Sequence, residues 1–456
     1  MNLSGKGAVM SKKKVRNPLI KRIPKELIGD WKKYLVVFLF LVLTIGFVSG
    51  MYVANESMLK SAADGVKEYK QEDGHFELKK QADDALLSAI ETGEKADVKQ
   101  YYLDEAKKKL DKKFPKKFKS TFDEKFKSKF DAQFSAQVKQ TLVAQGMDEQ
   151  TVAAMLPAAV KQAKADGTYK NAYDKAYSSA YTDAYDKAYD EAWKKAQDKI
   201  EDKYADAEEK YELNDPDFKA TKTTVYENFF RNEEEDYNND GKKDGTIRVF
   251  PQTEDINLAC LLKGSFPQTK DEIAIDRMHA DNVGVTVGDT ITISGETYKI
   301  VGLLAYVNYS TLHEKTTDLM FDALKFDVAM VTPEGFDRLH KSVHYTYAWK
   351  YENEPEDDAQ EKIQSDNFMS ALLTQVVVAD NELEDYTPKY GNPAINFATD
   401  DMGSDKAMGG VLLDILIVII AFIFAVTISN TIAKEASAIG TLRASGYTKG
   451  ELIRHY

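Results

Sequence analysis

The chain contains 456 residues, of which 43% are hydrophobic and 30% are charged, and its mean hydropathy is -0.46. This length accommodates two or three domains, and the composition excludes a protein that is membrane-embedded throughout. The formal net charge is -13, yet the first 33 residues carry ten Lys and Arg against two acids. An acidic middle region between basic ends excludes nucleic acid as the main partner, because phosphate binding requires a cationic surface.

Two apolar segments predict membrane-spanning helices. Residues 34–53 are 20 residues without a charge, which make a helix of about 30 Å and match the hydrocarbon core of a bilayer. Residues 408–430 contain a second apolar run, interrupted only by Asp414. Basic residues precede the first segment and follow the second, so the positive-inside rule predicts cytoplasmic termini and an extracytoplasmic region at 54–407. A cleaved signal peptide is the alternative for the first segment, but its basic leader and apolar core are both unusually long.

Composition divides the chain into seven regions and predicts a membrane protein of the α+β class, with two transmembrane helices flanking a large extracytoplasmic region. The regions are a basic cytoplasmic segment (1–33), the first transmembrane helix (34–53), a stalk with the first part of an α+β core domain (54–102), a helical hairpin inserted into that core (103–213), the remainder of the core (214–407), the second transmembrane helix (408–430) and a cytoplasmic segment (431–456).

Alternating and apolar stretches within the core domain predict individual strands. We expect an extended stretch at 74–78, followed by a short helix and a strand within 83–100. The remaining predicted strands are 271–276, 285–293, 297–304 and 343–349, with a short helix over 277–282 after the first of them.

The inserted region contains two columns of aromatic residues that recur every four positions. The members are Phe114, Phe118, Phe122, Phe126, Phe130 and Phe134 in one column, and Tyr169, Tyr173, Tyr177, Tyr181, Tyr185, Tyr189 and Trp193 in the other. A spacing of four advances 400°, so each column drifts by about 40° per step around a 3.6-residue helix. A column of Ala residues beside the Tyr column is expected to keep an apolar strip on one side.

Charge and turn residues indicate how these two helices are arranged. Residues 105–130 are basic and residues 183–212 are acidic, while Gly146, Pro157 and Asp166-Gly167 between the columns are turn formers. The sequence therefore predicts a long antiparallel helical hairpin of the coiled-coil type. Three interpretations stay open: a structural arm, an arm whose tip contacts an envelope protein, and aromatic columns that bind glycan or lipid through ring faces.

The segment after the second apolar run carries a resemblance to a known family. It reads Lys434-Glu-Ala-Ser-Ala-Ile-Gly-Thr-Leu-Arg-Ala-Ser-Gly-Tyr447, and the external region contains DEIAIDRMHADNVGVTVGDTITI. Together with the two membrane segments, these residues resemble the MacB/FtsX-like ABC transporter permeases over the whole chain except the hairpin. The resemblance implies that the core is a MacB-like extracytoplasmic domain and that residues from 431 onward begin an FtsX-like permease domain.

The resemblance also implies a partner and the residues that contact it. In the family, the segment just inside the membrane helps to couple the permease to a separate cytoplasmic ABC ATPase. The coupling residues carried over are Glu435, Ile439, Gly440, Leu442, Arg443, Ala444 and Gly446. The chain departs from the family at Ala438, where an acidic residue is common, and in having two spans where family members have at least four. The expectation is therefore the front portion of a longer permease or a truncated gene product.

Enzyme signatures are absent from the sequence. There is no phosphate-binding loop of the type G-x-x-x-x-G-K-[ST], so we expect ATP to be bound by the partner subunit and no catalytic residue in this chain. The single Cys260 excludes an intrachain disulfide. Of the six histidines only His340 and His344 have a spacing typical of metal ligands, and both are expected to be ordinary surface or packing residues.

One stretch resembles a calcium-binding loop. Asp236, Asn238, Asp240 and Asp244 occupy positions 1, 3, 5 and 9 of such a loop, and Gly241 occupies the turn position. Position 12 should be a bidentate acid but is Ile247. The loop therefore lacks its strongest ligand unless a residue of Glu233–Glu235 folds back, and a solvated acidic turn is the alternative.

These observations predict a permease subunit, or its N-terminal part, that transmits ATP-driven motion to an extracytoplasmic domain for export or envelope remodelling. The expected partners are the cytoplasmic ATPase, membrane lipid, a second permease chain in a homodimer or permease pair, and an envelope protein at the hairpin tip. The expected location is a bacterial cell membrane. The alternative is a membrane-anchored coiled-coil scaffold, or a regulator that recruits a cell-wall hydrolase through the hairpin.

Overall fold

The computed structural model describes residues 22–211 and 213–454, so most of the predicted basic N-terminal segment lies outside the described residues. The helices of the described residues are α1 (Arg22–Gly29), α2 (Trp31–Glu68), α3 (Asp84–Glu91), α4 (Val98–Ala144), α5 (Glu149–Ala165), α6 (Thr168–Lys210), α7 (Arg277–Val283), α8 (Pro333–Asp337), α9 (Asp358–Val378), α10 (Pro393–Lys434), α11 (Ala436–Ala444) and α12 (Lys449–Ile453). The strands are β1 (Gly74–Leu78), β2 (Thr223–Glu227), β3 (Arg231–Asp236), β4 (Gly245–Pro251), β5 (Ala259–Gly264), β6 (Glu272–Asp276), β7 (Thr290–Ile293), β8 (Glu296–Tyr306), β9 (Phe326–Val331), β10 (Tyr345–Tyr351) and β11 (Leu383–Pro388).

The described residues form two compact units. The first unit contains the described residues up to Gln71, the segment Asn232–His340 and the described residues from Gly391 onward. The second contains the described residues of Glu72–Arg231 together with Lys341–Tyr390. The strands of the predicted core domain, which takes in part of 54–102 as well as 214–407, belong to two sheets, because β2, β10 and β11 join β1 instead of the larger sheet.

The first unit contains a seven-stranded sheet that closes on itself. Its strand order is β5-β8-β6-β9-β4-β3-β7, and β7 pairs with β8 as well as with β3. Every residue of β9 is buried, which explains why this strand reads as a nearly continuous apolar run. Parallel pairing of β4 with β9 places Ile247 opposite Asp327. The only charged residue of β9 is therefore held inside the sheet.

The same unit contains both candidate membrane helices. The structure has two helices that are long and apolar enough to span a bilayer, α2 and α10, and almost none of their apolar stretches is buried within the described chain. Two contacts show that these helices run antiparallel. At one end of the pair the Lys33 ammonium donates to the Thr431 hydroxyl at 3.3 Å, and at the other end Lys406 pairs with Glu56. Helix α2 continues to Glu68 as the predicted stalk.

The second unit packs a four-stranded antiparallel sheet against helices α3 and α9. The strand order is β11-β1-β10-β2, and the core is built on Phe76, Trp349 and Phe368. A Cβ atom at Gly74 would lie 2.3 Å from Cζ2 of Trp349, so glycine allows β1 to lie directly against the indole. The helix predicted within 83–100 is present as α3, but the predicted strand is wrong. Helix α4 already begins at Val98, where the Asp97 side chain accepts from the Gln100 amide at 2.8 Å.

The hairpin is antiparallel and its two aromatic columns face each other. Neighbouring Phe rings of α4 stack with centroids 5.3–5.9 Å apart. Each Phe from Phe114 to Phe130 also makes edge contacts with two Tyr rings of α6; Phe126, for example, contacts Tyr173 and Tyr177, each at 5.4 Å. Both columns drift in the same direction, so two helices that wind around each other keep the rings in contact along their length.

The connection between α4 and α6 differs from the prediction at one residue. Gly146 and Gly167 adopt positive φ values of 82° and 85° and mark the two helix boundaries. Pro157 was expected to break the chain but lies inside α5. A proline in a helix removes one backbone hydrogen bond without necessarily ending the helix, and α4 likewise contains Pro115.

Candidate functional site

The predicted coupling residues occupy a short helix that follows the second apolar helix. Helix α10 ends at Lys434, and Glu435 is the joint, with φ -97° and ψ 10°, from which α11 starts. Within α11, Ile439 and Leu442 are half-buried, whereas Gly440, Arg443 and Ala444 are exposed. These residues therefore form one short element, and their contact with an ATPase stays a prediction.

Gly446 has a defined conformational role at the end of α11. Its φ is +96°, a left-handed conformation that favours glycine. The Gly446 amide donates to the Arg443 carbonyl at 3.2 Å and the Tyr447 amide donates to the Leu442 carbonyl at 3.2 Å, which is the hydrogen-bond pattern of a Schellman motif. The next helix begins two residues later with a capping box between Thr448 and Glu451. Gly446, which belongs to the segment that resembles the permease family, thus ends α11 shortly before α12 begins.

The candidate calcium loop is a tight turn between β3 and β4. The Asp236 carboxylate accepts from the backbone amides of Asp240 at 3.1 Å and Gly241 at 2.8 Å. Asp244 accepts from the Tyr237 amide at 3.2 Å. The carboxylates at positions 1 and 9 of the loop therefore accept hydrogen bonds that stabilise the turn itself.

The residues that could have completed the calcium loop face elsewhere. Ile247 is fully buried in β4. Glu233 accepts from the Ser294 hydroxyl and, at 3.1 Å, from the His340 amide, while Glu235 is buried inside the sheet. Neither Glu233 nor Glu235 folds back onto the loop, because alternation along β3 directs both side chains away from the turn, and calcium binding at this loop stays a prediction.

A different cluster of ligand-type residues lies inside the closed sheet. Glu235 of β3, His279 of α7 and Asp327 of β9 are all fully buried or nearly so, and their ligand atoms lie within 4.8 Å of one another. Nε2 of His279 lies 3.2 Å from Oε1 of Glu235. His279 Nδ1 lies 2.9 Å from the Ala323 carbonyl oxygen, and because a carbonyl only accepts, Nδ1 carries a proton.

The electrostatics of this cluster are dominated by buried negative charge. Burial raises the pKa of Asp327 well above its ordinary value, and burial also raises the pKa of the neighbouring Asp276. Burial on its own would lower the pKa of His279, but the charges of Asp327 and Glu235 raise it to about 9. The cluster consequently needs either extra protons or a cation to balance its carboxylates.

Sequence reasoning missed this cluster because its members are separated by 44 and 48 residues and match no spacing motif. Two local signals were nevertheless present. Asp327 interrupts the apolar strand Phe-Asp-Val-Ala-Met-Val, and Glu235 occupies an alternate position of a strand. A carboxylate on a buried strand needs a partner, and that requirement points to a site without any motif.

Comparison with known proteins finds distant structural similarities. No protein-family model matches the sequence, and no curated protein matches it. The chain is similar to the periplasmic region of MacB from Actinobacillus actinomycetemcomitans, with 9% identity and a TM-score of 0.22 over 39% of this chain and 77% of that chain. It is also similar to the extracellular domain of the noncanonic ABC-type transporter YknZ from Gram-positive bacteria, with 12% identity and a TM-score of 0.22 over 35% of this chain and 80% of that chain. These similarities do not assign the chain to a family.

Proposed function

We propose that this chain is a membrane subunit of an ABC-type transporter, or the N-terminal part of one. In this function α11 binds a cytoplasmic ATPase, and α10 carries the resulting motion to the extracytoplasmic sheet. ATP is bound and hydrolysed by the partner, and both chain ends lie on the cytoplasmic side. The resemblance of the residues from Lys434 to Tyr447 to a permease coupling segment motivates the proposal.

The observation that carries the proposal is the continuity of α10. This helix has 42 residues, which corresponds to about 63 Å, and it runs without a break from the closed-sheet unit to Lys434. Its first turn is anchored by Ser310, whose hydroxyl lies 2.7 Å from the Ala394 carbonyl oxygen, and by the Thr311 amide, which donates to the same carbonyl at 3.2 Å. In this function a displacement of α11 passes through Glu435 into α10, whose first turn is hydrogen-bonded to the segment that follows β8.

The position of α11 agrees with cytoplasmic docking. Lys434 Nζ lies 3.9 Å from the Asp30 carboxylate at the start of α2, so α11 begins at the end of the helix pair that carries the basic residues. Basic residues flanking a span favour the cytoplasmic side. A half-buried apolar pair, Ile439 and Leu442, on a short helix beside charges is a suitable surface for the cleft of another protein.

The test is co-purification of the ATPase with a Leu442→Asp variant. A carboxylate introduced into an apolar contact is desolvated without a partner, so ATPase binding is expected to fall by at least about tenfold. Ser437→Asp is the matched control, because Ser437 is exposed in the first turn of the same helix, where an acid is tolerated. Membrane insertion of both variants is checked by carbonate extraction.

Two outcomes contradict the proposal. If a correctly inserted Leu442→Asp chain retains the ATPase as well as the Ser437→Asp chain, α11 is not the docking element. If the wild-type chain, co-expressed with the proteins of its neighbouring genes, binds no ATPase, the proposed permease function itself is wrong. Binding that depends only on anionic lipid would identify the segment as a membrane-surface helix.

The second candidate is a membrane-anchored scaffold that recruits an envelope enzyme such as a cell-wall hydrolase. The observation that favours it is the hairpin, whose helices of 47 and 43 residues are joined through α5. The rings of the two aromatic columns pack against each other and are therefore less accessible to a partner. Helix α5 offers a more accessible apolar side chain, Met155, which is 46% exposed. A photo-crosslinker at Met155 that captures a hydrolase, with the same group at exposed Lys187 capturing none, would support this candidate.

A further inference from the structure

The interior of the closed sheet contains buried polar atoms without hydrogen-bond partners. Among the described residues, Oε2 of Glu235 and Oδ2 of Asp327 make no hydrogen bond, and Nε2 of His279 and Oε1 of Glu235 have only each other as a near partner, at 3.2 Å. All three side chains are inaccessible to solvent. A buried polar group left unpaired destabilises the fold, and more so when it is charged, so a folded chain is expected to satisfy these atoms.

The surrounding backbone holds the three residues in place. Oδ1 of Asp327 accepts from the backbone amides of Val328 at 2.7 Å and Asp276 at 3.2 Å, which leaves Oδ2 directed away from them. His279 lies in the first turn of α7, where its backbone amide donates to the capping Asp276 side chain, and its Nδ1–H donates to the Ala323 carbonyl. A histidine whose Nδ1–H is bound to a carbonyl presents Nε2 as its free ligand atom, an arrangement common in metal sites.

We propose that Glu235, His279 and Asp327 bind one divalent transition-metal ion, zinc being the best fit, as a structural site of the closed sheet. Three residues supply an imidazole nitrogen and carboxylate oxygens, which are zinc ligands, whereas calcium takes six to eight oxygens. A dication also neutralises the two carboxylates, so the buried charge is balanced without extra protons.

The distances agree with ligands that share an ion. Two ligand atoms each about 2.0–2.1 Å from a tetrahedral zinc lie about 3.3 Å apart, and Nε2 of His279 lies 3.2 Å from Oε1 of Glu235. The remaining ligand atoms lie within 4.8 Å, which requires only a small inward movement of Asp327. Oε2 of Glu235 is also without a hydrogen bond among the described residues, so Glu235 can bind the ion through both carboxylate oxygens.

The proposed site is separate from the candidate calcium loop, although Glu235 and Asp236 are adjacent. Successive side chains of a strand point to opposite faces, so Glu235 faces the interior while Asp236 binds the amides of the turn. The ion would join β3, β9 and α7, which are 44 or more residues apart in sequence. Because solvent does not reach the ligands, metal uptake is expected to accompany folding.

The first experiment measures metal in the full-length chain, expressed with zinc in the medium and purified in detergent. Elemental analysis is expected to find about one zinc ion per chain. Glu235→Gln and Asp327→Asn are expected to lose at least nine-tenths of it. Asp281→Asn is the matched control, because it removes an exposed carboxylate from the same helix as His279 and is expected to retain the metal.

A second measurement keeps the proposal testable if the core variants fail to fold. Wild-type chain produced with cobalt in place of zinc is expected to show visible absorption bands of a nitrogen- and oxygen-ligated ion, and these bands are expected to be absent from apo protein. Thermal unfolding in the presence of a strong chelator is expected to occur at a lower temperature than with zinc bound.

The proposal is overturned if folded wild-type chain grown with zinc or cobalt contains less than about one-tenth of an ion per chain. It is also overturned if Asp281→Asn removes the metal as completely as Glu235→Gln does. A Glu235→Gln chain that is metal-free but more stable than the wild type in zinc would show that the cluster is a proton-sharing network instead.

Discussion

Gly409 of α10 lies against Met51 of α2 so closely that a Cβ atom at Gly409 would be 2.9 Å from the Met51 methyl carbon. The neighbouring Gly410 has nothing within 4 Å of the same position. The two glycines therefore differ in their surroundings, and only the first faces the other candidate membrane helix. Small residues at such contacts allow helices to approach closely where the hydrophobic effect does not drive their association.

This difference predicts unequal effects of the same substitution. Gly409→Leu is expected to separate α2 from α10, because the added side chain is too large for the end of Met51 to avoid, whereas Gly410→Leu is expected to be tolerated. Gly409→Ala is expected to be mild, because Met51 is flexible. The measurement is the cross-linking yield of a short bis-maleimide in a Glu56→Cys, Lys406→Cys chain with Cys260→Ser. Equal yields for the two leucine variants would contradict the helix contact.

The predicted topology is tested at two introduced cysteines. In a Cys260→Ser chain, Ala165→Cys at the exposed end of α5 is expected to react with an impermeant thiol reagent on intact cells. Ser437→Cys in α11 is expected to react only after permeabilisation, because both chain ends are assigned to the cytoplasmic side. The reverse pattern would overturn the orientation, and labelling of both positions on intact cells would show that α11 is external.

The aromatic columns predict a stability effect that a surface substitution does not share. Phe126 stacks on Phe122 and Phe130 and makes edge contacts with two Tyr rings, so Phe126→Ala removes four ring contacts. The loss of unfolding free energy is expected to be smaller than the about 3–5 kcal/mol that removal of a fully buried Phe side chain causes, because Phe126 is half-buried. Faster hydrogen exchange in α4 and α6 is the readout. Lys127→Ala, at an exposed neighbour, is the control and is expected to leave exchange unchanged.

The Tyr column also predicts that the hairpin weakens at alkaline pH. Burial and a hydrogen bond to Asp131 at 2.6 Å raise the pKa of Tyr169 to about 12, and a hydrogen bond to Asp111 with burial raises the pKa of Tyr189 to about 12. A phenol whose folded pKa exceeds the unfolded value of about 10 stabilises the fold below that pH. This stabilisation is lost as the pH rises through the folded pKa.

The measurement is tyrosinate absorbance as a function of pH. Asp111→Asn is expected to shift part of the ionisation toward lower pH, because the carboxylate that holds the Tyr189 proton is gone. Asp183→Asn changes the charge equally at an exposed position of α6 and is the control. An Asp111→Asn titration curve that superimposes on the wild type would show that the carboxylate does not set the Tyr189 pKa.

The elements with strong periodicity were predictable from sequence, and those that depend on distant pairing were not. The Phe and Tyr columns identified the antiparallel hairpin because a fixed spacing fixes a helix face. Strand β1 was expected as an extended stretch, but nothing local shows that it pairs with β10 and β11, which are more than 260 residues away. Division of 214–407 between two sheets follows from such pairings.

The candidate site shows the same limit. The role of Gly446 in ending α11 depends only on residues close to it in sequence, because the left-handed backbone of this glycine closes the hydrogen bonds of the Schellman motif. The Glu235–His279–Asp327 cluster depends on the strand order of the sheet, in which β3 and β9 lie on either side of β4. An ion-pair or metal cluster assembled from separate strands leaves only a weak signal in sequence, namely charged residues on otherwise buried strands.

The last prediction concerns calcium at the turn between β3 and β4. Full-length chain, loaded with zinc, is expected to bind calcium at best weakly, with a dissociation constant on the order of millimolar, because Ile247 cannot act as the bidentate ligand of position 12. Asp236 is expected to matter for a different reason: its carboxylate stabilises the turn by accepting from the Asp240 and Gly241 amides. Asp236→Ala should therefore lower the unfolding temperature equally with and without calcium, whereas Asp236→Asn, which keeps one acceptor oxygen, should lower it less.

Calorimetric titration and thermal unfolding of both variants provide the measurement. Micromolar calcium affinity in the wild type that is abolished by Asp240→Asn would reverse the conclusion and make this turn a calcium site, since Asp240 then acts as a ligand and not only as an acceptor for the Lys242 amide.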